Sequence, residues 1–402
     1  MYRYQPIIAG RVALEALLSL LGLLNMRGVS SRNQERKRLA FQAYSVHLAQ
    51  CFVPIINRLR EHVPDFDIDF LILSHPHFSF RSLWDLRNFA RANLQIPSRN
   101  VRFFWQALWQ KYDLLVCTDV YARFPLRRTK RVLLKHGAGV ASRILKWNPL
   151  RKTIFNFDLI LVNGDADLDL LRHVCPGNFV DQKVIAAGLP YLDRLYTQVT
   201  SREVYFGHMG LKAQKPVVLV APSWRGLEAL EVRQPGYFDA LISAVIKLNV
   251  QVIIKMHACS LNKVMAQGKD WAKQINRHVQ PLVGVDYDVD DVPALQHADV
   301  LITDISSRAF NFMLLDKPVV VICPDEVFGD QLDRERINLM SQAAYLARSV
   351  EEVETRLAQA LDKRNVSNAA RVRLAHYCFA NPGHAAEIVA AHLLKQMNTG
   401  SH

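Results

Sequence analysis

The chain has 402 residues, about twice the length of a common single domain, and this length predicts two domains of roughly 200 residues. Half of the residues are apolar, 22% are charged and 9% are aromatic. This composition excludes a disordered or a collagen-like chain, because it supplies enough apolar surface to offset the entropy lost when the chain is ordered.

The positive charge is concentrated in two stretches of the N-terminal half. The net charge is +13; residues 1–60 hold nine basic and two acidic residues, and residues 121–152 hold ten basic and no acidic residues, so the remainder carries −4. Such a local field favours an anionic partner: nucleic acid, an anionic lipid surface or a phosphorylated substrate. A solvated surface is the alternative. Nucleic acid is least favoured, because aromatic residues are not interleaved with the basic ones.

The first apolar segment, Ile7–Met26, contains Gly10, Arg11 and Glu15, so it is a poor transmembrane span and a poor signal peptide. Its leucines recur at helical spacing and basic residues follow them, which is typical of a helix lying in a membrane surface. A helix packed on its own domain fits the same pattern. The six cysteines are widely spaced without a CxxC pair, which indicates reduced core residues of a cytosolic protein.

Short apolar runs then alternate with helical stretches, which predicts parallel strands wrapped by helices. The predicted strands of the first half are Phe66–Leu73, Asp113–Thr118, Arg131–Lys135, Phe157–Asn163 and Lys183–Gly188.

A polar stretch near residues 197–215 separates this half from a second series with the same pattern. The predicted strands of that series are Pro216–Pro222, Val250–His257, Asp299–Asp304 and Lys317–Cys323. The sequence therefore predicts an α/β protein with two doubly wound, Rossmann-like lobes, residues 1–200 and residues 201–402. In such sheets ligands lie beyond the carboxyl ends of the strands, so we expect a substrate between the lobes.

The strongest local signal is DVLITDISSRAFNFMLLDKPVVVI, residues 299–322, where Asp304, Ser306 and Ser307 stand between a strand and a helix. Hydroxyls and unpaired N–H groups at a helix start favour phosphate binding, while simple N-capping is the alternative. In APSWRG, Ser223 and Arg225 follow another strand, and the planar fork of an arginine suits phosphate oxygens.

Two histidines also stand at strand ends. His136, in LLKHGAGVASR, is followed by two glycines that let a ligand approach the backbone, and an imidazole there can accept a proton near neutral pH. His257, in KMH, can donate to a phosphate or to a leaving group, although a buried structural histidine is equally common. The partial GxGxxG around Gly137 is a weak dinucleotide signal, and the chain has no P-loop, HExxH, GxSxG or zinc-finger spacing.

In order and spacing, LLKHGAG, GLPYLDRL, APSWRG, IIKMH and residues 299–322 resemble the CDP-glycerol glycerophosphotransferases of teichoic-acid-like and capsular polymers. The resemblance covers about residues 110–330. It implies a GT-B-like pair of lobes, a peripheral membrane enzyme, and transfer of glycerol phosphate from CDP-glycerol to an acceptor hydroxyl with release of CMP.

Residue by residue, the resemblance makes His136 the catalytic base and assigns His257 and Arg225 to the donor diphosphate. It places Asp304, Ser306 and Ser307 on the donor phosphates. Three positions depart from the family pattern: Ala138 replaces the threonine of His-Gly-Thr, Ala258 replaces the proline of His-Pro, and Tyr191 replaces the arginine of Gly-x-Pro-Arg.

We therefore expect a transferase, active at the inner face of the cell membrane, that moves a polyol phosphate from a CDP-linked donor to a polymer or lipid-linked acceptor. No cofactor is called for, although a divalent metal is possible. A GT-B glycosyltransferase, a nucleotide-sugar epimerase and a non-catalytic envelope-assembly protein are the alternatives. The basic stretch would hold the acceptor or the membrane through Arg127, Arg128, Lys130, Lys135 and Arg143.

Overall fold

The computed structural model describes residues 37–63, 66–74, 80–120, 122–125, 128–137, 153–197, 200–263, 266, 268–329, 331–362 and 368–398. The expected N-terminal amphipathic helix, Arg127 and Arg143 lie outside these residues. In the described part, no helix is both long enough and apolar enough to cross a membrane.

The N-terminal half forms a seven-stranded parallel sheet in the order β3-β2-β1-β4-β5-β6-β7. Its strands are β1 Arg38–Ala43, β2 Asp67–Ile72, β3 Val101–Phe103, β4 Leu114–Cys117, β5 Lys130–Leu134, β6 Leu159–Val162 and β7 Val184–Ala186. Its helices are α1 Val46–Ala49, α2 Phe52–His62, α3 Phe80–Ala92, α4 Phe104–Ala107, α5 Asp165–Val174 and α6 Phe179–Lys183, with 3₁₀ helices at Ser98–Asn100, Ile154–Asn156 and Pro190–Tyr196.

The C-terminal half forms a six-stranded parallel sheet in the order β10-β9-β8-β11-β12-β13. Its strands are β8 Val217–Val220, β9 Gln251–Ile254, β10 Val283–Val285, β11 Val300–Thr303, β12 Val319–Ile322 and β13 Tyr345–Ala347. The remaining helices are α7 Arg202–Gly207, α8 Trp224–Arg233, α9 Tyr237–Ile246, α10 Ala258–Leu261, α11 Trp271–Asn276, α12 Val292–His297, α13 Ser307–Met313, α14 Gln331–Met340, α15 Val350–Asp362, α16 Asn368–Cys378 and α17 Ala385–Asn398.

The predicted α/β class with two Rossmann-like sheets is confirmed, and each predicted strand overlaps an observed one. The central strands are buried on both faces, which is why they are continuous apolar runs. Four strands were missed: β1, β3, β10 and β13. Strand β1 carries a buried Gln42 that breaks the apolar pattern, but its amide is satisfied by the backbone of Arg123, from Nε2 to O and from N to Oε1, both 2.9 Å.

The last helix, α17, packs against α2 and the 3₁₀ helix Pro190–Tyr196 of the first lobe. Asp193 accepts hydrogen bonds from the N–H groups of Ala385 and Ala386 at its start, at 3.0 and 2.7 Å. The approach is close: Gly188 has φ +93°, and a β carbon there would lie 2.3 Å from the carbonyl oxygen of Ala380. The C-terminal segment therefore returns to the first lobe, and Gly188 has no room for a side chain.

Candidate active site

Loops at the carboxyl ends of the two sheets approach each other: residues after β1 and β5 lie close to residues after β9 and β11, and we call the space between these loops the cleft. The loop after β5 brings Gly137 next to the start of α13, where a β carbon built on Gly137 would lie 3.8 Å from the hydroxyl of Ser307. The His136 loop and the Ser306–Ser307 turn, which were predicted to face each other, thus lie close together. The two elements come from different lobes, so the site exists only when both lobes are folded.

His136 is held at this edge by its backbone surroundings. Its Nδ1 hydrogen-bonds the carbonyl oxygen of Thr118, at the end of β4. A carbonyl oxygen only accepts, so Nδ1 carries the ring proton and Nε2 keeps a free lone pair. The next residue, Gly137, has φ +72°, and its carbonyl accepts a hydrogen bond of 2.8 Å from the side chain of buried Asn163. The half-buried imidazole of His136 is therefore arranged as a proton acceptor.

His257 has the opposite arrangement. It caps α10, and its Nδ1 accepts a hydrogen bond of 3.1 Å from the N–H of Cys259, so the ring proton lies on Nε2. Burial, followed by the positive charges of Arg308 and His47, lowers the pKa of His257 to about 3. The ring is therefore neutral near pH 7 and offers an Nε2–H donor.

A third imidazole, His47, was missed by the sequence analysis. It lies on α1, directly after β1, and its ring centroid is 6.4 Å from that of His257 in an edge-on arrangement. Its side chain reaches solvent, but partial desolvation in the cleft lowers its pKa below the ordinary value. Recognising β1 would have found it, because His47 follows a strand end just as His136 does.

Asp304 lies deeper than expected for a residue that contacts the donor. It is buried, and its carboxylate accepts from the N–H of Ser223 at 3.1 Å and from its hydroxyl at 2.7 Å. Burial raises the pKa of Asp304 to about 6. Gly226 is equally constrained, because a β carbon there would lie 1.8 Å from Asp304 Oδ2. Asp304 and Ser223 bind each other and fix the start of α8, which does not support the predicted direct contact of Asp304 with donor phosphates.

The turn before α13 supplies two hydroxyls and a guanidinium. Ser306 caps the helix, its hydroxyl accepting a hydrogen bond of 3.3 Å from the N–H of Arg308, and Ser307 begins it. The Arg308 side chain, also missed from the sequence, lies on Asp291 through two bonds, Nε to Oδ2 at 2.9 Å and Nη2 to Oδ1 at 3.1 Å. Its Nη1 is buried and has no hydrogen-bond partner among the described residues.

An acidic loop, residues 286–291, binds the basic side chains on the second-lobe side of the cleft. Lys255, at the end of β9, is fully buried and binds Asp286 Oδ2 at 2.8 Å and the carbonyl of Asp288 at 2.7 Å. Although burial opposes it, the charges of Arg308 and Lys255 hold the pKa of Asp291 below its usual value. Asp291 therefore stays anionic and pairs with Arg308, while Asp286 pairs with the buried Lys255.

Two of the predicted acceptor cations already have partners within the protein. Lys130 Nζ donates to the carbonyl of Gln396 at 2.7 Å, near the end of α17, and Lys135 pairs with Asp167. These contacts do not support a role for either lysine in binding an acceptor. Arg128 is exposed, and Arg225 lies in the first turn of α8, although its side chain is not among the described ones.

The described residues contain no group of three or more histidine, cysteine or carboxylate side chains that could hold a metal ion. The chemistry that this arrangement can support is proton transfer at His136 and hydrogen-bond donation from His257 and the serine turn.

Comparison of the sequence with known proteins finds a matching family. The sequence model of "CDP-Glycerol:Poly(glycerophosphate) glycerophosphotransferase" matches residues 156–395. A teichoic acid glycerol-phosphate primase of Bacillus spizizenii is 25% identical over 177 residues, which span 42% of this chain and 41% of that protein.

Solved structures share the fold at low identity. The wall teichoic acid polymerase TagF has a TM-score of 0.63 at 14% identity, over 96% of this chain and 98% of that chain. A UDP-N-acetylglucosamine 2-epimerase has a TM-score of 0.57 at 13% identity, over 92% of this chain and 98% of that chain. These solved structures show the fold alone, and the family is shown by the sequence match. Because that match covers more than half of the sequence and includes the loops that line the second side of the cleft, the chain belongs to the CDP-glycerol:poly(glycerophosphate) glycerophosphotransferase family.

Proposed function

We propose that the protein transfers a polyol phosphate, glycerol phosphate in the first instance, from a CDP-linked donor to a hydroxyl of an anionic envelope polymer. The observation that carries the proposal is the placement of the His136–Gly137 loop against Ser307, from opposite lobes. A nucleotide diphosphate in the cleft would meet the serine hydroxyls and the positive charge of Arg308 on one side and the imidazole of His136 on the other.

The reaction needs one group that accepts the proton of the attacking hydroxyl and one that donates a hydrogen bond to the phosphate. The two imidazoles supply these groups. The acceptor hydroxyl attacks the β-phosphorus, its proton passes to His136 Nε2, a new P–O bond forms and the bond to CMP breaks. His257 Nε2–H donates a hydrogen bond to the phosphate oxygen on which charge develops. Near pH 7 the neutral state of His257 allows this donation without a full positive charge.

Residues of the second lobe would hold the CDP-linked donor substrate. Ser306 and Ser307 offer hydroxyls, and the half-buried Arg308 places a positive charge beside them, supported by Asp291. We assign Ser223 and Asp304 to positioning, because they bind each other. Arg225 remains a donor-binding proposal on the basis of its place in the first turn of α8.

We further propose an anionic polymer or lipid-linked acceptor held at the inner face of the cell membrane. The support is the charge of residues 121–152, a stretch with ten basic and no acidic residues that contains His136. Binding of a poly(glycerol phosphate) acceptor should then weaken steeply between about 0.05 and 0.5 M salt, because exposed charges are screened. Salt-independent binding would contradict this part.

The direct test of the proposed function is a donor panel. Purified protein is incubated with a phosphoglycerol acceptor and, in turn, CDP-glycerol, a CDP-linked longer polyol and UDP-N-acetylglucosamine. The expected result is release of CMP from a CDP-linked polyol with mass growth of the acceptor. Turnover of the UDP-sugar alone would favour the epimerase or glycosyltransferase alternative, and no turnover with intact acceptor binding would favour a non-catalytic role.

A further inference from the structure

The chain leaves the first sheet through the 3₁₀ helix Pro190–Tyr196, and this helix makes a specific contact with the second lobe. The Tyr191 hydroxyl donates to Asp290 Oδ1 at 2.8 Å and accepts from the N–H of Asp291, also at 2.8 Å. Tyr191 is only 7% exposed. Its hydroxyl is therefore engaged both as donor and as acceptor by one acidic turn of the opposite lobe.

Neighbouring side chains reinforce the same contact from both sides. Arg194, on the same 3₁₀ helix, pairs with Asp290 Oδ2 at 2.8 Å. From the second lobe, Gln296 on α12 donates to the carbonyls of Arg194 and Thr197, at 3.0 and 2.6 Å. This group of contacts, which we call the lobe junction, is polar and directional, so it specifies a distance between the lobes as well as holding them together.

The lobe junction is continuous with the cleft. Asp291, whose N–H binds the Tyr191 hydroxyl, holds Arg308 through its carboxylate at 2.9 and 3.1 Å. Arg308 follows Ser306 and Ser307 directly in the chain. One turn therefore links the first lobe, which carries His136, to the residues proposed to bind the donor.

We propose that Tyr191 is a positioning residue, whose hydroxyl sets the spacing between the His136 loop and the Ser306–Arg308 turn. In-line transfer requires the acceptor oxygen, the phosphorus and the leaving oxygen to be aligned, and a displacement of about 1 Å can cost about 10²-fold in rate. The kinetic part of this inference rests on the proposed transferase function, whereas the spacing itself does not.

The test removes only the hydroxyl, with Tyr191→Phe, which keeps the ring in its pocket. We expect kcat for CMP release to fall at least about tenfold, while the dissociation constant for CDP stays within about threefold, because Asp291 still holds Arg308. Tyr345→Phe is the matched control: Tyr345 is also buried, and its hydroxyl binds the carbonyl of Gln359 at 3.3 Å within the second lobe. That variant should keep the wild-type kcat.

A measurement independent of activity separates this inference from the proposed function. Nitroxide labels are placed at Ala92→Cys and Ala358→Cys, exposed positions on α3 and α15, in a Cys259→Ser background. Pulsed dipolar spectroscopy should show a broader interlobe distance distribution with Tyr191→Phe and an unchanged one with Tyr345→Phe. If the protein transfers no glycerol phosphate, this experiment still decides whether the lobe junction exists.

Three results would overturn the proposal. An unchanged distance distribution in Tyr191→Phe would exclude control of lobe spacing. A broadened distribution with wild-type kcat would break its link to catalysis. Parallel losses of kcat and CDP affinity would assign the hydroxyl to the donor site instead of the lobe junction.

Discussion

The loops after β5 and β9 come from opposite lobes, and each presents a histidine at the carboxyl end of a parallel strand. The difference lies in one backbone partner. His136 Nδ1 meets a carbonyl, that of Thr118, whereas His257 Nδ1 meets an N–H, that of Cys259. The two identical side chains therefore differ at Nε2: this atom has a free lone pair in His136 and carries a proton in His257.

This difference shows that the backbone decides which imidazole accepts a proton and which donates one. Two lobes of similar topology can then supply complementary groups to one substrate. Variants of either loop are expected to break this complementarity or to show how firmly the loop is held.

The largest effect is expected from loss of His136, the proposed base. His136→Ala should lower kcat for CMP release about 10²- to 10⁴-fold, with CDP affinity nearly unchanged. His136→Asn provides the sharper comparison, because its amide N–H can still bind the Thr118 carbonyl but no lone pair replaces Nε2. Steady-state kinetics should find the two variants equally impaired; a largely active His136→Asn enzyme would show that this ring only supports the loop.

The next largest effect is expected from loss of His257, the imidazole proposed to donate a hydrogen bond. His257→Ala should lower kcat about 10²-fold, the usual consequence of removing one hydrogen-bond donor from a developing charge. His257→Gln retains an N–H donor on a side chain of similar reach and should recover part of that loss. Equal rates for the two variants would show that the proposed hydrogen bond from His257 Nε2–H is wrong.

The packing of Gly226 against Asp304, in the second lobe, can be tested through the free energy of unfolding. Gly226→Ala would force a β carbon to 1.8 Å from Asp304 Oδ2, so we expect a loss of about 1–3 kcal/mol in the free energy of unfolding. Gly207→Ala is the control, because nothing lies within 4 Å of that position at the end of α7. Denaturant unfolding should separate the two variants, and equal stability would mean that Asp304 is not packed against α8.

The smallest effect is a pH dependence of stability. The pKa of His257 falls from 6.5 to about 3 on folding, so between these values the unfolded chain binds a proton that the native protein does not. Stability should therefore decrease as the pH falls through this window. Melting temperatures measured from pH 7 to pH 4 should fall less for His257→Gln than for the wild type; parallel curves would exclude burial of a neutral ring.

Much of the fold was predictable from the sequence because the central strands are continuous apolar runs. The missed strands are short or interrupted by polar residues, as Gln42 illustrates, and the bonds that satisfy such a residue come from a distant segment. Strand β3, with three residues, is too short to produce a recognisable period.

The candidate site was predictable where a residue follows a recognised strand, as His136, His257, Ser306 and Ser307 do. His47 was missed together with β1, and Arg308 was missed because its role depends on Asp291, which lies in a loop without a motif. The sequence also could not tell that Lys130 and Lys135 already have partners, since Gln396 and Asp167 are distant in the chain. Pairing across long separations is a property of the folded chain.

Nitrogen-15 NMR of histidine-labelled protein tests the division between the two imidazoles most directly. Couplings from each ring nitrogen report which one carries the proton. Single His136→Asn and His257→Gln variants assign the signals. The account predicts a proton on Nδ1 of His136 and on Nε2 of His257; the same tautomer in both rings would contradict it.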